Sequence, residues 1–130
     1  MFNLSIFRQS PVSYMKTTQL INAYGPLTKT SPSFTTRGGT LLLFFSGSGY
    51  TTSLSGGYIE IVVKIDGTIV GRTGIYANQP NMHLALVPKQ LVITSVLAGS
   101  HTLTVESSSS YPITTDGNDP FQVTVTEMPY

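Results

Sequence analysis

The sequence predicts an all-β domain, a sandwich or barrel of about seven or eight short strands. Three observations carry that expectation. Apolar and polar residues alternate in several short runs, the period of a strand with one buried face. Gly, Pro, Asn and Asp punctuate the intervals between those runs. No window combines a 3.6-residue apolar period with helix caps.

Composition narrows the class further. The chain of 130 residues has room for one ordinary domain. Apolar residues make up 40% of it, enough for a core, whereas charged residues make up only 10%, well below the usual proportion of about a quarter. Ser and Thr fill much of that gap. Thr is β-branched and accepts strand geometry, and a surface of hydroxyls meets other proteins with few charges to desolvate. The formal net charge is +1 and the seven Lys and Arg are scattered, which argues against capture of nucleic acid. Cysteine is absent, which excludes disulfides, thiolate catalysis and Cys-based zinc sites. No apolar run is long enough to span a membrane, and no membrane insertion is expected. The segment from Met1 to Arg8 lacks a basic lead, and Arg8, Gln9 and Pro11 interrupt the apolar stretch, so no secretory signal is expected.

Along the chain, residues 1–37 stand apart. Pro11, Pro26 and Pro32 break the stretch, and its apolar residues come in clusters without sustained period: Phe2, Leu4 and Ile6, then Leu20 and Ile21, then Leu27. It reads as an extended arm with one or two short strands. Such an arm must lie on its own domain, on a neighbouring copy or on a larger assembly. The remainder, 38–130, reads as the β domain. Thr40 to Phe45 is a continuous apolar run, the mark of a strand buried on both faces. Tyr58 to Ile65 alternates, with Ile59, Ile61, Val63 and Ile65 on one face, and Thr68 to Val70 resumes after Asp66-Gly67. Asp-Gly between two such runs signals a hairpin, with a two-residue or a three-residue loop. Gly71 to Asn81 reads as a loop. Met82 to Val87, Leu91 to Leu97, His101 to Glu106 and Phe121 to Glu127 read as strands, with a polar loop from Ser107 to Asp119. Phe44, Phe45, Ile61, Val63, Leu103, Val105, Phe121, Val123 and Val125 are the expected core.

Three stretches carry a resemblance. They are Gly38-Gly39-Thr40-Leu41-Leu42-Leu43-Phe44, Ile65-Asp66-Gly67-Thr68-Ile69-Val70-Gly71, and Leu97-Ala98-Gly99-Ser100-His101-Thr102-Leu103-Thr104-Val105 with the closing Phe121-Gln122-Val123-Thr124-Val125-Thr126-Glu127. Together they resemble the small jelly-roll domains of bacteriophage accessory virion proteins, either capsid decoration (cement) proteins or tail-fibre and minor tail proteins. Those domains are similar to the C1q and tumour-necrosis-factor jelly rolls. The resemblance implies an antiparallel jelly-roll sandwich of about eight strands with an extended N-terminal arm. It implies a homotrimer on the exterior of a virion, made in the host cytoplasm. Its partners would be capsid or tail proteins, docked through Phe2, Leu4, Ile6, Leu20 and Ile21.

The chemistry-bearing residues are few. His83 and His101 are the only histidines. His101 shares a face with Leu103 and Val105 and reads as a packed or hydroxyl-bonded imidazole at a strand start, with the alternative of a metal shared on a trimer axis. Asp116-Gly117-Asn118-Asp119 gathers oxygen ligands that suit calcium, but Asp, Gly and Asn are also what tight turns use. Asp116, Asn118 and Asp119 are therefore the metal candidates, beside the expectation that no metal or other cofactor is bound. No local spacing pairs two carboxylates for glycoside cleavage, and no glycine motif sits between a strand and a helix. No enzyme is expected. Tyr50, Tyr58, Tyr76 and Tyr111 offer a sugar-stacking platform, and Tyr50, Tyr76 and Tyr111 fall in expected loops. The alternative to virion docking is thus a carbohydrate- or receptor-binding module, with a host-surface glycan as partner.

Overall fold

The computed structural model describes residues 15–129, and all regular secondary structure among them is strand. In chain order these are β1 (Lys16–Tyr24), β2 (Lys29–Thr30), β3 (Phe34–Thr36), β4 (Gly39–Ser46), β5 (Ser48–Gly49) and β6 (Gly57–Ile65). After the hairpin turn come β7 (Thr68–Ala77), β8 (Leu84–Ala85), β9 (Lys89–Val96), β10 (Gly99–His101), β11 (Leu103–Ser107) and β12 (Pro120–Glu127).

The pairing is nested. β6 pairs with β7, β5 with β8, β4 with β9, β3 with β10, β2 with β11 and β1 with β12, all antiparallel. The chain is therefore one long hairpin whose apex is Asp66-Gly67. Pairing of β12 with β4 and of β11 with β6 rolls that hairpin up. Two four-stranded sheets result, ordered β1-β12-β4-β9 and β2-β11-β6-β7. This is the jelly roll, with eight main strands in two layers around one core.

The apex explains its own sequence. Asp66 and Gly67 have φ of 51° and 82°, and Ile65 pairs directly with Thr68, so the loop has two residues. A two-residue turn with both central φ positive follows the twist of the flanking strands, and Asp-Gly tolerates it.

Alternation places the core as expected for most strands. Phe45, Ile61, Val63, Leu103, Val105, Phe121, Val123 and Val125 are all buried. Phe44 is the exception. β4 is buried on one face only: Leu41, Leu43 and Phe45 are sealed, while Leu42 is half-buried and Phe44 is exposed on the outer face. A continuous apolar run does not reveal that one of its faces is left uncovered.

The expected loop from Gly71 to Asn81 is mostly strand, since β7 runs to Ala77. Its two glycines mark close approach rather than turns. A Cβ on Gly71 would come 2.3 Å from Leu91 Cδ1, and one on Gly74 would come 2.2 Å from the Ile59 carbonyl oxygen. The expected strand from Met82 to Val87 shrinks to Leu84–Ala85.

The expected arm is corrected as well. Residues 16–36 contribute β1, β2 and β3, so the division at residue 37 does not separate an arm from a domain. Leu20 and Ile21, expected to dock on a partner, are buried in this chain's own core. The register of β1 against β12 shifts between Gln19 and Ile21, and this bulge turns two consecutive residues inward. Phe2, Leu4 and Ile6 lie outside the described residues.

Candidate functional site

The loops at the end of the sandwich opposite the Asp66-Gly67 apex bring together residues far apart in sequence. Backbone bonds stitch them. Tyr50 and Thr114 exchange N–H to carbonyl bonds, and the Asn81 N–H donates to the Thr51 carbonyl. The Glu60 N–H donates to the Tyr111 carbonyl, and the Ser108 N–H to the Glu60 carbonyl.

Asp119 is the centre of the polar part. Its carboxylate has 0% exposure and is fully partnered. Oδ1 accepts from the Ser48 hydroxyl at 2.5 Å and faces His83 Nδ1 at 2.7 Å. Oδ2 accepts the Asp116 N–H at 2.8 Å, which closes the turn. Asp116 Oδ1 in turn accepts the Asn118 N–H at 2.9 Å. The other nitrogen of His83, Nε2, stands 3.5 Å from Asp116 Oδ2, so the ring lies between two carboxylates. The Tyr50 ring covers it, 4.6 Å between centroids. The hydrogen bond to Asp119 holds His83 above the usual histidine value, against a smaller opposing effect of burial.

This arrangement is not a hydrolytic triad. There the imidazole stands between hydroxyl and carboxylate. Here Ser48 and His83 both turn to Asp119, so neither activates the other. Asp119 is sealed from solvent and occupied by donors, which also removes it as a nucleophile toward sugar.

The aromatic part lies on the outer face of β2-β11-β6-β7. Tyr58 on β6 stands directly opposite Tyr76 on β7. Tyr111, held by the loop after β11, meets Tyr58 edge-on, with centroids 5.1 Å apart and planes at 88°. The Tyr58 ring lies over Gly74, where a Cβ would come 2.7 Å from its Cζ and hydroxyl. Tyr58, Tyr76 and Tyr111 are 39%, 59% and 48% exposed, so an aromatic patch faces solvent. Farther along that face, Arg72 Nη1 pairs with Glu60 Oε1 at 3.3 Å.

The structure thus joins two of the expected loop tyrosines, Tyr76 and Tyr111, through Tyr58. Tyr76 comes from a strand rather than a loop. Tyr50 goes elsewhere, against His83. Of the metal candidates, Asp116 and Asp119 converge, while Asn118 contributes its backbone N–H to the turn. His83 and Ser48 are additions. They stand 36 and 71 residues from Asp119, and no local spacing connects them.

No family model matches this chain, and no curated protein does either. Solved structures resemble it in fold. One is dimeric latent PorU from Porphyromonas gingivalis, at 16% identity and a TM-score of 0.56, covering 90% of this chain and 13% of that one. A second is the CBM36-1 domain of a multidomain xylanase from the hindgut metagenome of Trinervitermes trinervoides, at 12% identity, a TM-score of 0.48, and coverage of 90% and 99%. A third is infectious bursal disease virus, Gx strain, at 17% identity, a TM-score of 0.45, and coverage of 92% and 33%. This chain therefore spans only a small part of the PorU chain. The class of protein so defined is an all-β jelly-roll sandwich, and at these identities the likeness is one of fold.

Proposed function

We propose that the chain is a non-enzymatic component of a virus particle, and that its duty is recognition of a carbohydrate or receptor surface. The resemblance of its strand motifs to accessory virion jelly rolls supports the setting. The exposed contact of Tyr58 with Tyr111, with Tyr76 opposite, supports the duty. Tyrosine offers a flat apolar face to the C–H side of a sugar ring and a hydroxyl at its rim, at a low cost in side-chain entropy. The jelly roll would hold Tyr58 and Tyr76 on paired strands and Tyr111 on the adjoining loop, at the exterior of the particle.

A glycan array followed by calorimetry on the leading sugar tests this reading. Saturable binding that Tyr58→Ala or Tyr111→Ala abolishes is expected. An array with no saturable signal would reject it.

A second reading is a cement protein that docks flat on a capsid or tail neighbour, as a homotrimer. The observation favouring it is the outer face of β1-β12-β4-β9. Thr17, Gln19, Gln122, Thr124 and Thr126 flank Leu42, Phe44 and Val92 there, and no charge interrupts them. Little desolvation would oppose burial of such a face. Sedimentation with undecorated particles separates the two readings, because a Phe44→Glu variant would lose particle binding and keep any sugar binding.

A further inference from the structure

His83, Asp116 and Asp119 each offer one ligand atom, and the three atoms lie within 4.8 Å of one another. They come from two loops, the one after β7 and the one before β12, that the jelly roll alone brings together. The donor set is one imidazole and two carboxylates. We propose that these three residues form a binding site for a first-row divalent cation of the zinc type, one ion per chain.

The chemistry selects the class of ion. Calcium takes six or more oxygens and rarely an imidazole, whereas this cluster supplies an imidazole beside two carboxylates. Zinc accepts mixed nitrogen and oxygen ligands, tetrahedrally, with three protein donors and a fourth position open to solvent. Bonds of about 2.0 Å place tetrahedral donors about 3.3 Å apart. His83 Nδ1 and Asp119 Oδ1 are 2.7 Å apart and His83 Nε2 and Asp116 Oδ2 are 3.5 Å apart. The two distances are to opposite nitrogens of one ring, and an ion takes only one of them. Bound at Nδ1, it needs Asp119 Oδ1 to open by about half an ångström and Asp116 to come round from its place beside Nε2. The side chains of His83 and Asp116 are 36% and 42% exposed, while that of Asp119 is sealed.

Asp119 is held independently of the ion. Ser48 and the Asp116 N–H retain its orientation, as outer partners do for metal-ligating carboxylates. The Tyr50 ring packs against the His83 imidazole, with centroids 4.6 Å apart.

The test is calorimetric titration of the tag-free, metal-stripped full chain with zinc chloride, and separately with calcium chloride, together with thermal melts. Saturable zinc binding near one ion per chain and a raised Tm are expected. His83→Gln keeps a donor toward Asp119, and Asp116→Asn keeps the acceptor for Asn118, so each variant should melt like the metal-free parent. Each should bind zinc at least about tenfold more weakly, the low end of what even outer partners of a metal site cost. No saturable zinc binding, equal binding by the variants, or calcium bound more tightly than zinc would each overturn the proposal.

Discussion

Asp66 and His101 stand 35 residues apart in sequence, yet their side chains meet at 2.6 Å at the apex end of the sandwich. The His101 ring has a second acceptor, the Leu97 carbonyl, 2.7 Å from Nε2. Asp66 uses its other oxygen to accept the Thr102 N–H at 2.9 Å. Because both ring nitrogens face acceptors, only the imidazolium completes both bonds. It ties the β6–β7 turn to the turn between β9 and β10.

That clip predicts a pH dependence. His101 is raised, chiefly by its bond to Asp66, so its contribution is whole below the ordinary histidine value and is lost as pH rises through the raised one. Asp66 is lowered, chiefly by the same bond, so its contribution is whole above the ordinary carboxylate value and is lost as pH falls through the lowered one. Stability from this pair should therefore plateau between about pH 4 and 6.5. His101→Gln should lower stability there by about 1 kcal/mol, since Asp66 is half exposed and water screens the pair. Chemical denaturation across pH measures it, and a parallel loss at pH 9 would reject the charged form.

Ile21→Ala should cost about 2–5 kcal/mol in urea unfolding, because Ile21 is buried in this domain's own core. A docking residue on a free arm would leave the midpoint unchanged.

Gly74→Ala should cost about 1–3 kcal/mol and move the Tyr58 ring, since the added Cβ meets both the Ile59 carbonyl and that ring. The chain has no Trp, so its tyrosine fluorescence reports the change directly. Unaltered emission and stability would mean that the strand yields there and the ring does not depend on it.

Asp119→Ala should cost about 1–3 kcal/mol for each donor it leaves without an acceptor, the Ser48 hydroxyl and the Asp116 N–H, while His83 keeps Asp116 beside it. Asp119→Asn keeps one carbonyl oxygen and should cost less. Equal melting of both variants and the parent would show that the buried carboxylate is not what closes this loop.

Local pattern was enough for much of the fold. The alternation of Phe121, Val123 and Val125 with Gln122, Thr124 and Thr126 names a half-buried strand, and Asp66-Gly67 names the β6–β7 hairpin, whose two-residue loop the pairing of Ile65 with Thr68 then settles. The same reasoning fails where a residue's role depends on what lies across the sheet. Gly71 and Gly74 look like loop residues until Leu91 and Ile59 are seen to crowd them.

By itself, then, the sequence determined an all-β chain, its turns and most of its core, because these follow from period-two patterning and backbone conformations that single residues impose. It also determined which chemistry was scarce, since composition sets that directly. Tertiary structure alone decided that Leu20 and Ile21 belong to the core, that Phe44 faces out, and that His83 lies between Asp116 and Asp119. The physical reason is the nested pairing. Rolling one long hairpin joins β1 to β12, so contacts form between residues whose separation in sequence says nothing of their distance in space.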